Sequence, residues 1–194
     1  ADRICSKKVL RATARILSVK IKVLGAASEV GRSGFAVNCD GTNLLLDYGV
    51  MFAKRRNDPP LYPLHIRPKD VDAAIITHAH LDHSGCIPSL FNGGNTDVYC
   101  TSPTLDLSIL LIEDMLKIEK NKHSFNHSHV NSMIKNSKEI GFREPVNIGN
   151  TKFELRSSGH VIGGSTVLVE AQGKRLFYTG DINLRGSRML PKAD

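Results

Sequence analysis

The sequence predicts a layered α/β protein, and three observations carry that prediction. Strand-like stretches fill residues 19–49 and 72–78, helical stretches follow, and strands resume after residue 145. Ligand-type side chains recur where those strands run out, at Asp47, from His78 to His83, at His160 and at Asp181. No apolar run approaches the ~18–20 residues of a membrane-spanning helix, so no membrane partner is expected. With 194 residues, 41% hydrophobic and 23% charged, the chain can bury one sizeable core.

The leader "ADRICSKKVLRATARIL" has helical spacing. Cys5, Val9, Ala12 and Ile16 make one stripe, and Arg3, Lys7, Arg11 and Arg15 another, so residues 1–18 read as a basic amphipathic segment. A transit peptide, an RNA-facing helix and a vector remnant all fit it. Residues 19–194 form the body. "VKIKVLG" alternates as a strand should, and "DGT" joins "FAVNC" to "NLLLDYG" as a hairpin. "DAAIITH" reads as a fully buried strand, a short helix is expected from about Ser84 to Phe91, and "DVYCT" is a further strand.

"SPTLDLSILLIEDMLKIEKN" predicts a long helix capped by Ser102, with Pro103 in its first turn. Its broad apolar surface, with Leu107, Leu110 and Leu111 beside the Leu105–Ile109–Ile112–Leu116 stripe, predicts cover on more than one side. A second helix is expected over about 128–140, with Val130, Met133, Ile134 and Ile140 on one face and Gly141 as its stop. The strands "VNIG", "TKFELRSSG", "STVLVEAQG" and "KRLFYTGD" complete the body, with "QGK" marking a hairpin between the last two.

The net charge is +7, and residues 1–22 carry seven basic groups against Asp2 alone. The rest of the chain is nearly neutral. The leading segment suits a polyanion such as nucleic acid, or a solvated basic face. Cys5, Cys39, Cys86 and Cys100 form no C-x-x-C pair. Scattered thiols without a secretory signal point to a reducing, cytoplasmic setting.

The donors at the strand ends have a common logic. Strand ends of one layered sheet converge on a single cleft, so side chains far apart in sequence meet there. Imidazoles and carboxylates suit Zn²⁺ or a similar divalent metal. Five or six such donors are too many for one tetrahedral ion and about right for two ions ~3.5–4 Å apart. The spacing H-x-H-x-D-H arises by chance in a shuffled chain of this composition on the order of once in a thousand. "KHSFNHSH", with His123, His127 and His129, lacks a strand to anchor it and reads as a solvated helix–helix connection, as does His65 in its loop. Lys54, Arg55 and Arg56 lie in a loop where they could touch phosphate.

At these residues the sequence resembles the metallo-β-lactamase fold, a layered αββα sandwich. His78-x-His80-x-Asp82-His83 matches its second motif, Asp47 its first, His160 in "SSGHVIGGS" its third and Asp181 in "FYTGD" its fourth. "LGAASEVGRSGFAV", "LDYGV", "THAHLDHSG" and "TGDIN" resemble the β-CASP ribonuclease branch, which includes RNase J and the cleavage and polyadenylation specificity factor nuclease. The wording of these motifs resembles archaeal members of that branch.

The resemblance implies a zinc-dependent RNA phosphodiesterase with two Zn²⁺ ions, a hydroxide nucleophile and RNA as partner. His78, His80 and His160 would hold the first ion, Asp82 and His83 the second, and Asp181 would bridge. Asp82 and Asp181 would be the catalytic carboxylates, and Asp47 would steady the histidine loop. In that branch an inserted domain follows the fourth motif and the chain then returns with more strands and a last ligand histidine. The expectation is therefore an N-terminal piece, ending before the second sheet is complete, whose own activity and double occupancy need the rest. The longer protein is expected as a homo-oligomer. A thioester or lactam hydrolase on the same fold, or a noncatalytic RNA-processing scaffold, remain the alternatives.

Overall fold

The computed structural model describes residues 19–39, 41–53, 55, 58–119 and 122–194. The leader and its expected helix lie outside the described residues, as do Lys54 and Arg56; Arg55 is exposed. Two sheets are stacked, and helices cover the outer face of the first. The first sheet runs β1 (Val19–Gly25), β2 (Gly34–Cys39), β3 (Thr42–Tyr48), β4 (Ala73–Ile75), β5 (Asp97–Cys100) and β6 (Ser137–Glu139), in that spatial order. Its first three strands are antiparallel, and β3 to β6 are parallel. The second sheet is antiparallel, in the order β10 (Lys174–Tyr178), β9 (Ser165–Ala171), β8 (Thr151–Ser157) and β7 (Val146–Ile148).

The triple leucine of β3 shows how the layers form. Leu44 and Leu46 point between the sheets, against Phe153, Leu155, Val167 and Val169. Leu45 points the other way, into a core built with Ile112, Met115, Val130 and Met133 of the helices. A strand buried on both faces is continuously apolar, and that is how β3 and β4 read. The last hairpin turns through Gln172 and Gly173, both at positive φ, as a two-residue turn requires.

The helices differ from expectation in four places. The predicted helix over 84–91 is a one-turn α1 (Leu81–Ser84) followed by a 3₁₀ turn at Ile87–Phe91, where Pro88 suits a first turn better than a helix interior. The long helix α2 (Ser102–Ile118) is capped by Thr101 and not by Ser102; the Thr101 hydroxyl accepts from the amide of Thr104. Its apolar surface is covered on one side only: Ile112 is fully buried, whereas Leu110 is 62% exposed. The third helix α3 (His127–Lys135) stops before its predicted end, because Ser137–Glu139 pairs with the open edge of β5. Strand pairing there overrides helix propensity, so Ile140 belongs to the inter-sheet core and Ile134 is partly exposed.

His123 also departs from its reading as a solvated linker. Its side chain is 1% exposed; Nδ1 lies 2.7 Å from the Tyr62 hydroxyl and Nε2 lies 3.3 Å from Glu119. His65 is exposed, as expected. Among the described residues no helix is long and apolar enough to cross a membrane.

The one-sided burial of α2 has a measurable consequence. Ile112→Ala should cost about 2–5 kcal/mol in urea unfolding, and Leu110→Ala should stay within about 0.5 kcal/mol of the parent.

Candidate metal centre

All four predicted stretches end on the same side of the sandwich. Parallel pairing of β3 and β4 puts Asp47 beside the segment that leaves β4. The amide and hydroxyl of Ser165, where β9 begins, both donate to the Thr77 carbonyl, at 2.8 and 2.9 Å. That seam ties the second sheet to the end of β4. The His160 loop is held from a third direction: the hydroxyls of Thr101 and Thr104, at the start of α2, both donate to the Gly163 carbonyl, at 2.8 and 3.0 Å.

Asp47 is the hub of this arrangement. It is fully buried and adopts φ +56°, a strained conformation for a residue with a side chain. Its Oδ1 accepts from the Thr77 amide at 2.7 Å. Its Oδ2 accepts from the Thr77 hydroxyl at 2.8 Å, from His83 Nδ1 at 2.8 Å and from the Tyr178 hydroxyl at 2.9 Å. A buried carboxylate is tolerable only with partners of this number and quality.

Those bonds also set the histidine tautomers. With Nδ1 of His83 donating to Asp47, its Nε2 presents a lone pair to the cleft. The Thr77 hydroxyl, donating to Asp47, can accept from His78 Nδ1 at 3.0 Å, which frees Nε2 of His78 in the same way. Gly49 lets the two segments meet: a Cβ there would overlap the Asp82 carbonyl.

In front of the hub, six predicted donors gather. One ligand atom from each of His78, His80, His160 and Asp181 lies within 4.8 Å of all the others. His80 Nδ1 is 3.0 Å from His78 Nε2 and 3.4 Å from His160 Nε2. Oδ2 of Asp181 is 3.4 Å from His160 Nε2 and 3.9 Å from His78 Nε2. Donors at 2.0–2.1 Å from one tetrahedral ion stand about 3.3 Å apart, so this set fits a divalent metal.

Beside it, His83 Nε2 lies 3.8 Å from Asp82 Oδ2 and 3.5 Å from Asp181 Oδ1. Asp181 thus turns one oxygen to each group. Ser33, Phe35, Asp82, His83, Tyr178 and Asp181 help to line a cavity of about 300 Å³ on that side.

Burial, then the charge of His83, pulls the His78 imidazole down to about 4, keeping it neutral as a metal ligand must be. Burial also opposes charging His83, but the Asp47 hydrogen bond and the charges of Asp47, Asp82 and Asp181 outweigh it and raise that group.

Sequence reasoning missed four residues that shape the site. Thr77 relays Asp47 to His78, Tyr178 reaches Asp47 from the other sheet, Thr101 and Thr104 anchor the His160 loop. Only position could have found them, since threonine and tyrosine at strand ends are ordinary. The hydroxyl of Ser33 lies 3.4 Å from His83 Nε2, a fifth unforeseen contact.

The chain is similar to known proteins over most of its length. A family model described as the metallo-beta-lactamase superfamily matches residues 32–193. The RNase aCSPSF2 of Saccharolobus solfataricus is 35% identical over 175 residues, spanning 90% of this chain and 35% of that protein. The transcription termination factor FttA of Methanocaldococcus jannaschii is 36% identical over 188 residues, spanning 90% and 29%. The cleavage and polyadenylation specificity factor subunit 3-I of Arabidopsis thaliana is 32% identical over 179 residues, spanning 88% and 25%. These relatives support the β-CASP ribonuclease branch, and the chain spans between a quarter and about a third of their length. A B3 metallo-beta-lactamase with an active-site glutamic acid superposes at TM-score 0.55 with 15% identity, over 91% of this chain and 65% of its own. A protein of unknown function from Enterococcus faecalis V583 gives TM-score 0.63 with 17% identity, over 86% and 44%. At such identities these two structures speak for the fold alone.

Two outcomes test the hub and its histidines. Asp47→Ala leaves His83, Thr77 and Tyr178 without their acceptor and should cost about 3–5 kcal/mol in urea unfolding of the metal-free chain. His78 has its folded value below the ordinary 6.5, so the unfolded chain takes up the proton first as pH falls. The stability it supports is present above about 6.5 and is lost down to about 4, at up to ~1.4 kcal/mol per pH unit. His78→Asn should lack that dependence, so the stability difference between parent and variant should itself change with pH across this window.

Proposed function

The chain belongs to the metallo-beta-lactamase superfamily, and on that premise we propose that it carries the metal centre of a zinc-dependent RNA phosphodiesterase. The observation that carries this reading is the convergence of six donors with Asp181 between them, Oδ2 toward His78 and His160 and Oδ1 toward His83. His78, His80 and His160 would hold one Zn²⁺, Asp82 and His83 a second, with Asp181 shared. When bound, the ions supply Lewis acidity, lowering the pKa of a water toward ~7 and offsetting charge on a phosphoryl group.

The chain's own residues do the rest of the work. Asp47 holds His83 and, through Thr77, His78 in the tautomers that face the cleft. Asp82, about one third exposed at the cavity wall, can accept a hydrogen bond from an attacking water and so orient it. In-line displacement at phosphorus needs no covalent enzyme intermediate. Cys39, Cys86 and Cys100 are free and buried, which suits a reducing, cytoplasmic setting.

Two features of the surface favour a polymer over a small substrate. A hollow of about 530 Å³ lies beside His80 and Asp82, walled by Val30, Phe52 and Leu111. Another of about 540 Å³ lies beside His160, walled by Leu107, Ile162 and Met189. A chain crossing the donor cluster would have apolar surface for its bases on either flank. The curated relatives named as ribonucleases and RNA-processing factors point the same way.

The test is metal content and hydrolysis measured together. The protein should take up zinc, read by elemental analysis, and cleave RNA rather than a thioester. His80→Ala should lower zinc uptake and RNA cleavage in parallel. An His80→Ala variant that cleaves RNA at the parent rate, or a parent that hydrolyses the thioester and leaves RNA intact, would overturn the reading.

A further inference from the structure

We propose that Tyr178 is a positioning residue that holds the two halves of the donor cluster in register through its hydrogen bond to Asp47. The consequence for metal binding rests on the metal-centre reading above; the hydrogen-bond role does not.

Tyr178 is the last residue of β10, and Asp181 follows three positions later. Its ring lies against Phe35 of the first sheet, with centroids 5.1 Å apart. Its hydroxyl donates to Asp47 Oδ2 at 2.9 Å. The other donors to that carboxylate are Thr77, just after β4, and His83, in α1. Among the described residues, Tyr178 alone reaches Asp47 from the second sheet. Burial and the Asp47 charge push the phenol above its ordinary value, so it stays a proton donor.

The segment from Tyr178 to Asp181 is pinned a second time. Gly180 adopts φ +49° and passes so close to Thr77 that a Cβ would lie 2.8 Å from its hydroxyl oxygen. Tyr178 touches Asp47 and Gly180 touches Thr77, and Asp47 and Thr77 are themselves bonded twice. This closed circuit sets where the Asp181 carboxylate stands relative to His78 and His83. Since the Tyr178 hydroxyl is committed to Asp47, it acts through that residue and not by contact with substrate. Without the hydroxyl, Oδ2 of Asp47 loses one of three donors and the end of β10 loses its polar tie to the first sheet.

Tyr178→Phe isolates the hydroxyl, because it keeps the ring against Phe35. Two measurements on this chain decide the matter. In the metal-free form, the Thr77 amide should exchange with solvent about tenfold faster or more, while core amides such as Ile112 keep their protection. In chelator competition, the affinity for Zn²⁺ should fall by about tenfold. Unchanged Thr77 protection, a uniform rise in exchange across the core, or Zn²⁺ affinity within twofold of the parent would each overturn the proposal. If the parent takes up no Zn²⁺ at all, the metal-centre reading fails on its own, and Thr77 exchange still decides whether Tyr178 holds Asp47.

Discussion

A carboxylate with no access to solvent must be surrounded by donors, and at Asp47 that requirement organises the functional end of the molecule. Asp47 reaches its place through a strained backbone angle, and its four hydrogen bonds come from three separate stretches of the chain. Each partner sits where a strand or short helix begins or ends. Satisfying one buried charge therefore draws together the end of β3, the segment after β4, helix α1 and the end of β10. The cost of leaving that charge unpaired exceeds the strain of the local backbone.

The layering explains why this hub faces a cleft and not the core interior. β3 and β4 are buried on both faces, so their middles carry only apolar side chains. Polar groups can appear only where the strands leave the sandwich, and parallel pairing puts those exits on one side. The second sheet is locked to that side by Ser165 against Thr77, and α2 adds the Thr101 and Thr104 anchors for the His160 loop. Nitrogen and oxygen donors are thus held by elements that pack independently of any ligand. A cluster supported in this way is pre-organised, which is what a metal site needs if its geometry is to be set by the protein.

Membership of the superfamily and the arrangement of the donors meet at Asp181. Its carboxylate turns one oxygen toward His160 and the other toward His83. Apolar hollows flank the cluster on either side, and Leu107 and Leu110 of α2 are exposed.

Much of this was readable from residue order. The doubly buried strands, the long helix and the last hairpin follow from hydrophobic period and turn chemistry, which are local properties. Asp47 and the donors His78, His80, Asp82, His83, His160 and Asp181 stood out because charged or metal-binding residues rarely crowd the ends of apolar strands without cause. What local pattern could not decide was partnership. Whether Ser137–Glu139 ends a helix or edges a sheet depends on the open edge of β5. Whether His123 is solvated depends on Tyr62 and Glu119 lying over it. Thr77, Tyr178, Thr101 and Thr104 become part of the site only through neighbours distant in sequence. The sequence by itself determined which side chains could serve as donors and that strands would carry them to one edge, because period and composition are written along the chain. Only the tertiary structure decided which hydroxyl and which amide would hold each donor in place, because a hydrogen bond depends on distances of a few tenths of an ångström between segments that order alone does not bring together.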